Sequence, residues 1–184
     1  DSDGPRALPA SLYYTRLSQR LISALTALTG EGRLYEVDLR LRPTGNAGAV
    51  VSNLDGFVRY QRETAWTWEH MALTRARVVA APPELFGRTK RALEDVLKIP
   101  RDRAQLKQEI DEMRKRIEKE HATTDPWNVK YVRGGLIDLQ FLCQYLQLAH
   151  AKRLPDLLGG STDSVFKRQA TKGVIEAKHA LELG

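Results

Sequence analysis

The 184-residue sequence holds one cysteine, Cys143, so neither an intrachain disulfide nor a cysteine-based metal cluster is possible within it. Cys143 lies in the apolar run from Phe141 to Leu146, where a buried, inert thiol is expected. The four histidines, His70, His121, His150 and His179, show no zinc-type spacing. No apolar run approaches the ~18 residues of a membrane span, and the first residues show no signal-peptide core, so a cytoplasmic protein without membrane contact is expected. There is no internal repeat and no low-complexity tract. The glycine-bearing stretch from Gly45 to Gly48 lacks both the Lys-Ser/Thr ending of a P-loop and the GxGxxG spacing, which favours a plain turn over a phosphate cradle.

What is present is an ordinary soluble composition, 42% hydrophobic, with 29 Lys and Arg against 23 Asp and Glu and a net charge of +6. The basic residues are dispersed beside acidic ones: Arg114, Lys115 and Arg116 share a stretch with Glu112, Glu118 and Glu120. That is the pattern of a solvated helix face, and nucleic-acid binding is not inferred from it.

Along the chain, residues 1–9 carry Gly4, Pro5 and Pro9 and read as a loop. From Ala10 to Leu28 the apolar positions Tyr14, Leu17, Leu21, Leu25 and Leu28 predict a helix with one buried stripe, ended by Gly30 and Gly32. Residues 34–42 alternate, with Tyr35, Val37, Leu39 and Leu41 on one face and Glu36, Asp38, Arg40 and Arg42 on the other, which predicts the one clear strand. Pro43 closes it. Helices are predicted from a cap at Ser52 or Asn53, over Ala65–Val79 with Trp66, Trp68, Met71 and Leu73, and over Glu84–Leu97 before Pro100. A charged helix follows from Asp102 to Glu120, with the seam Leu106, Ile110, Met113 and Ile117. The run after Gly134-Gly135 is apolar on several faces, which predicts a central helix, and Asp138 near its N-terminus favours the helix dipole. A loop over residues 155–163 and one or two short helices finish the chain. A lone strand is no sheet, so the one at Asp38 needs a pairing partner that the sequence does not show.

The strand's polar face would set one carboxylate beside two guanidiniums. A carboxylate is a hard ligand for Mg²⁺ and arginine forks match phosphate oxygens, so the row suits a magnesium nucleotide. It equally suits an exposed face charged for solubility and cross-strand pairing. Trp66, Trp68 and Trp127 offer surfaces for stacking on adenine, but tryptophans in amphipathic helices more often serve core or interface. The triplet Trp68-Glu69-His70 offers a general base, against which stands a plain ion pair or hydrogen bond.

Three strings together are more specific than any one: Tyr-Glu-Val-Asp-Leu-Arg-Leu-Arg-Pro from Tyr35 to Pro43, the stretch Glu63–Val79 with Ala-Trp-Thr-Trp-Glu-His at its centre, and Gly-Gly-Leu-Ile-Asp-Leu-Gln-Phe from Gly134 to Phe141. They resemble the glutamine synthetase adenylyltransferases over residues 8–150, with weaker similarity to the end. Those enzymes have two related nucleotidyltransferase halves, and the Trp66-Thr67-Trp68 string resembles the half that attaches AMP. The resemblance implies a predominantly α chain: residues 1–50 as a remnant of a nucleotidyltransferase α/β palm, and 51–184 as a C-terminally truncated helical bundle domain. It implies transfer of AMP from ATP to a tyrosine of glutamine synthetase by two Mg²⁺ ions, with glutamine synthetase and a P-II-type nitrogen signal protein as partners. By the same resemblance Asp38 matches the third metal-binding carboxylate of the palm, and Arg40 and Arg42 face the triphosphate or pyrophosphate.

The sequence departs from that family in two places. The family's Gly-Ser motif and Asp-x-Asp pair lie upstream of the strand, and none precedes Asp38 here. Asp1-Ser2-Asp3 has the spacing but no hydrophobic strand around it. The chain is therefore expected to be a fragment that does not catalyse alone, because two metals need several carboxylates. Gln140 also stands where the family has Glu, which leaves Asp138 as that motif's acidic member, as a helix cap or Arg133 partner on one reading and a nucleotide or metal contact on the other. Two other functions compete: a uridylyltransferase of the nitrogen signal protein, and a helical interaction module without chemistry.

Overall fold

The computed structural model describes residues 7–33, 35–176 and 178. The expectations that fall on residues 1–6, on Leu34 and on the last residues of the chain lie outside these. The described residues are predominantly α: seven helices and one two-stranded antiparallel sheet. They divide into two compact units, Asp1–Thr64 and Ala65–Gly184.

In the first unit, α1 spans Ala10–Thr26 as its periodicity predicts, but none of its residues is buried. Tyr14, Leu17, Leu21 and Leu25 all stand exposed. An amphipathic pattern specifies a face and cannot supply its cover. The helix ends because Ala27 turns extended, not at a glycine cap. Gly30 and Gly32 instead lie in a hairpin of β1, Leu28–Thr29, and β2, Gly32–Arg33, with Gly32 in the left-handed region at φ +97°.

Of the strand predicted over residues 34–42, the described residues 35–42 form none: Tyr35–Leu39 has no regular structure, and turns follow from Arg40. The alternation survives only faintly, as half-buried Val37 and Leu39 between exposed neighbours. Strand conformation is held by a ladder, and among the described residues the hairpin's ladder pairs none beyond Arg33. Local bonds take over. The Asp38 carboxylate accepts the Arg40 backbone N–H at 2.9 Å, and the Arg42 N–H reaches back to the Leu39 carbonyl at 3.3 Å. The unit closes with α2, Leu54–Glu63, capped as expected by Asn53, whose Oδ1 accepts the Gly56 N–H at 2.6 Å.

The second unit holds α3 (Thr67–Leu73), α4 (Pro83–Leu97), α5 (Arg103–Glu120), α6 (Leu136–His150) and α7 (Thr162–Thr171). The helix predicted to run to Val79 stops at Leu73, because the Thr74 hydroxyl donates to the Met71 carbonyl at 2.7 Å and the N–H of Ala76 turns back to Leu73. Asp102 caps α5 by accepting the Gln105 N–H at 2.8 Å. The α5 seam behaves as its spacing demands, with Leu106 and Ile110 buried and Met113 and Ile117 half-buried.

Apolar on several faces, α6 is central. On one side Leu148 joins Met71, Leu97, Leu106 and Ile110, and on the other Cys143 packs with Val165 and Phe166 of α7. Gln147 ties the following loop to this helix, its Oε1 accepting the Gly159 N–H at 3.0 Å. No helix among the described residues is long and apolar enough to cross a membrane.

Candidate functional site

The residues singled out by the sequence lie in the irregular segment after β2. Asp38 and Arg40 form a bidentate pair: Arg40 Nε lies 2.9 Å from Oδ2, and Nη2 lies 2.6 Å from the same oxygen. With the Arg40 N–H on Oδ1 as well, both carboxylate oxygens are engaged. These hydrogen bonds from Arg40, side chain first and then backbone, hold the Asp38 carboxyl down at about 2, so it is ionised throughout the physiological range. The two side chains are 56% and 75% exposed, so the pair is screened by solvent and contributes little to stability.

Arg42 does not join them. Its Nε donates to the Gly48 carbonyl at 3.1 Å and its Nη1 to the Leu39 carbonyl at 3.3 Å, so the side chain bridges the ends of the turn. The turn uses its own donors: Gly45 N–H bonds Arg42 O at 2.8 Å and Gly48 N–H bonds Gly45 O at 3.1 Å. Those N–H groups are not aimed at a phosphate. Gly48 is required by close approach, since a Cβ there would collide with the Pro43 carbonyl and the Thr44 hydroxyl.

The tryptophan string is structural at its acidic end. Buried Glu69 accepts the Trp66 N–H at 3.1 Å, which fixes the start of α3. His70 Nδ1 lies 3.2 Å from Arg101 Nη2, and because the guanidinium can only donate, the contact is a hydrogen bond in the tautomer that leaves Nδ1 unprotonated. Arg101 also donates to the carbonyls of Leu97 and Ile99, both at 2.8 Å, closing the C-terminus of α4. Trp66 and Trp127 are left 72% and 86% exposed.

Asp138 finds a partner that the sequence did not indicate. Its carboxylate pairs with Arg114 of α5 and accepts the Gly134 N–H at 2.6 Å. Burial pushes this carboxyl up, but the Arg114 hydrogen bond, the Gly134 N–H and the charges of Arg114 and Arg133 outweigh that and leave it lowered. Arg133, the partner expected from adjacency, acts only through its charge. Arg114 was legible merely as one more cation on a charged helix, because the contact spans 24 residues.

Among the described residues no three His, Cys, Asp or Glu side chains are grouped to hold a metal ion. Asp38 supplies one carboxylate with both oxygens engaged, so the residues described do not by themselves fit a two-metal centre.

Comparison with known proteins supplies what this geometry leaves open. Residues 1–92 match the family model for glutamate-ammonia ligase adenylyltransferase, and residues 104–184 match that for the GlnD PII-uridylyltransferase. A bifunctional glutamine synthetase adenylyltransferase/adenylyl-removing enzyme of Rhodopseudomonas palustris (strain TIE-1) is 49% identical over 95% of this chain. Its counterpart in Bradyrhizobium diazoefficiens is 49% identical over 98%, and that of Bradyrhizobium sp. (strain BTAi1) is 44% identical over 100%. The chain spans 18%, 18% and 19% of these three relatives. Each similarity runs through both matched stretches at once, and with half of its length matched by the first family model, the chain belongs to the glutamate-ammonia ligase adenylyltransferase family.

Proposed function

We propose that this chain is part of an enzyme that transfers AMP from ATP to a tyrosine of glutamine synthetase and thereby regulates nitrogen assimilation. The observation that carries the reading is the near-half identity maintained over almost the whole chain to enzymes of that name. In this reading residues 1–50 contribute to a nucleotidyltransferase palm and 51–184 to the helical domain after it. Asp38 is a metal ligand, and Arg40 and Arg42 contact the nucleotide phosphates. Support comes from the ionised, exposed Asp38 and from an Arg40 fork held two residues away. Releasing Arg40 from Asp38 would free a carboxylate and a phosphate-matching guanidinium together.

Magnesium is the cofactor of this reading, and it would stabilise charge on the transferring phosphoryl group. The described residues do not complete its site, so Asp38 is assigned as one ligand among others. The isolated chain is accordingly proposed not to turn over. Glutamine synthetase, a P-II-type signal protein and ATP are the proposed partners, and the cytoplasm the proposed location. The match of residues 104–184 to a uridylyltransferase model favours one second reading, transfer of UMP to the signal protein.

The test is AMP incorporation from ATP into glutamine synthetase by the full-length protein and its Asp38→Asn variant, read by mass spectrometry of the target. The variant should lose on the order of 100-fold or more in rate while keeping its fold, as loss of a metal ligand requires. Undiminished incorporation returns Asp38 to a surface role. A preference for UTP, with the signal protein as acceptor, replaces the leading reading by the second. AMP incorporation by the purified 184-residue chain alone would overturn its proposed inactivity.

A further inference from the structure

Wholly within the second unit, α5, α6 and the loop before α6 line a groove of about 700 Å³. That volume lies in the range of roughly 300–1,000 Å³ typical of small-molecule clefts. Its floor is apolar and aromatic, made by Ile110, Phe141, Leu142 and Tyr145. Phe141 and Tyr145 pack against the main core cluster, so the floor is preformed. Leu142 is held 39% exposed at its surface.

The walls are charged in an unequal way. Arg114 and Asp138 are consumed by each other. Lys107, Lys115 and Arg133 form no ion pair among the described residues, and the remaining acids in the lining are Asp111 and Glu118. Three cations against two carboxylates leave one positive charge in excess. An aromatic floor beneath a single surplus cation suits a ring or apolar body carrying one negative group, and does not suit a polyphosphate, which Asp111 and Glu118 would repel.

The geometry points to a binding site in this groove for a small monoanionic molecule with an aromatic or apolar body, a carboxylate or sulfonate for instance. Its body lies on Phe141, Leu142 and Tyr145, and its anionic group is held by Lys115 and Arg133. The Arg114–Asp138 pair acts as the fixed wall that positions α5 against the start of α6. The proposal does not rest on any role of Asp38 in nucleotidyl transfer.

A suitable probe is 1-anilinonaphthalene-8-sulfonate, an aromatic monoanion, titrated into the isotopically labelled 184-residue chain and followed by NMR. Saturable binding to one site per chain is expected, with shifts centred on Phe141, Leu142, Tyr145 and Arg133. The double variant Lys115→Ala/Arg133→Ala, with its melting temperature unchanged, should bind about tenfold or more weakly, as loss of charge-assisted contacts predicts. The uncharged counterpart N-phenyl-1-naphthylamine should bind the parent no better than the sulfonate binds that variant. Inorganic triphosphate should not displace the probe. Shifts confined to other residues, equal affinity in the double variant, equal binding of the neutral compound, or displacement by triphosphate would each overturn the proposal. None of these readouts depends on adenylyl transfer, so the two proposals fail separately.

Discussion

Asp138 shows how one side chain is decided by groups far along the chain. Its side chain is 26% exposed and that of its partner Arg114 is 16% exposed, so the pair is sheltered but not sealed. Removing Arg114 leaves a half-buried carboxylate short of its charge partner. Arg114→Met should therefore destabilise the chain by about 1–3 kcal/mol, measured by urea unfolding. The acid dependence has a definite sign. The folded Asp138 carboxyl lies below its ordinary 3.8, so the unfolded chain binds the proton first. Its contribution is complete above the ordinary carboxyl value and is lost as pH falls through the lowered folded value. Melting temperatures of the parent and Asp138→Asn should therefore differ most above roughly pH 5 and converge in acid below the carboxylate range. A gap that persists unchanged into acid would exclude Asp138 as its source. None of this was legible at Asp138 itself: its place near a helix N-terminus was, but the identity of its partner was not, because sequence adjacency favoured Arg133.

Among the elements, α5 and α6 follow their sequence patterns because those patterns are buried by neighbours in the same unit. The start of α6 depends on a close approach: a Cβ on Gly135 would collide with the carbonyls of Val129 and Val132. The same loop is bound by Gly135 N–H to Val132 O at 2.9 Å and Leu136 N–H to Val129 O at 2.9 Å. Gly135→Ala should then cost about 1–3 kcal/mol, as overpacking does, and displace the amide resonances of 129–138; a neutral result would show that the loop can relax. Asp102→Ala should cost about 1 kcal/mol through loss of the α5 cap. The segment at 35–42 departs from its pattern. Its alternation is as regular as that of any strand, yet alternation states only which side chains share a face. Whether the backbone extends is decided by a partner's N–H and C=O groups, and here the Asp38 carboxylate accepts the backbone N–H and the side chain of Arg40 instead. The stripe of α1 fails in the same sense, with its spacing correct and its cover missing.

For the molecule as a whole, burial is unevenly shared between the units. No hydrophobic residue of the first unit is buried among those described, whereas both core clusters lie in the second. Residues 65–184 produced alone should therefore give a helical circular dichroism spectrum and a cooperative melt, and a non-cooperative melt would show that this core needs the rest of the chain. Phe166, fully buried beside Cys143 and Val165, should lose about 3–5 kcal/mol on change to alanine. The sequence by itself determined the helical class, a cap for α2 at Ser52 or Asn53, the inward seam of α5, the central α6 with its buried Cys143, and the family through three short strings. Each of these rests on spacing of a few residues or on a local string, and both are written in linear order. Only the tertiary structure decided that Arg114 holds Asp138, that Arg101 binds His70, that residues 35–39 make no ladder, and that α5 and α6 together line a groove with both charged and aromatic side chains. Those outcomes depend on which distant groups arrive at one place, and contacts between residues 24 or 31 apart leave no periodic trace in the sequence.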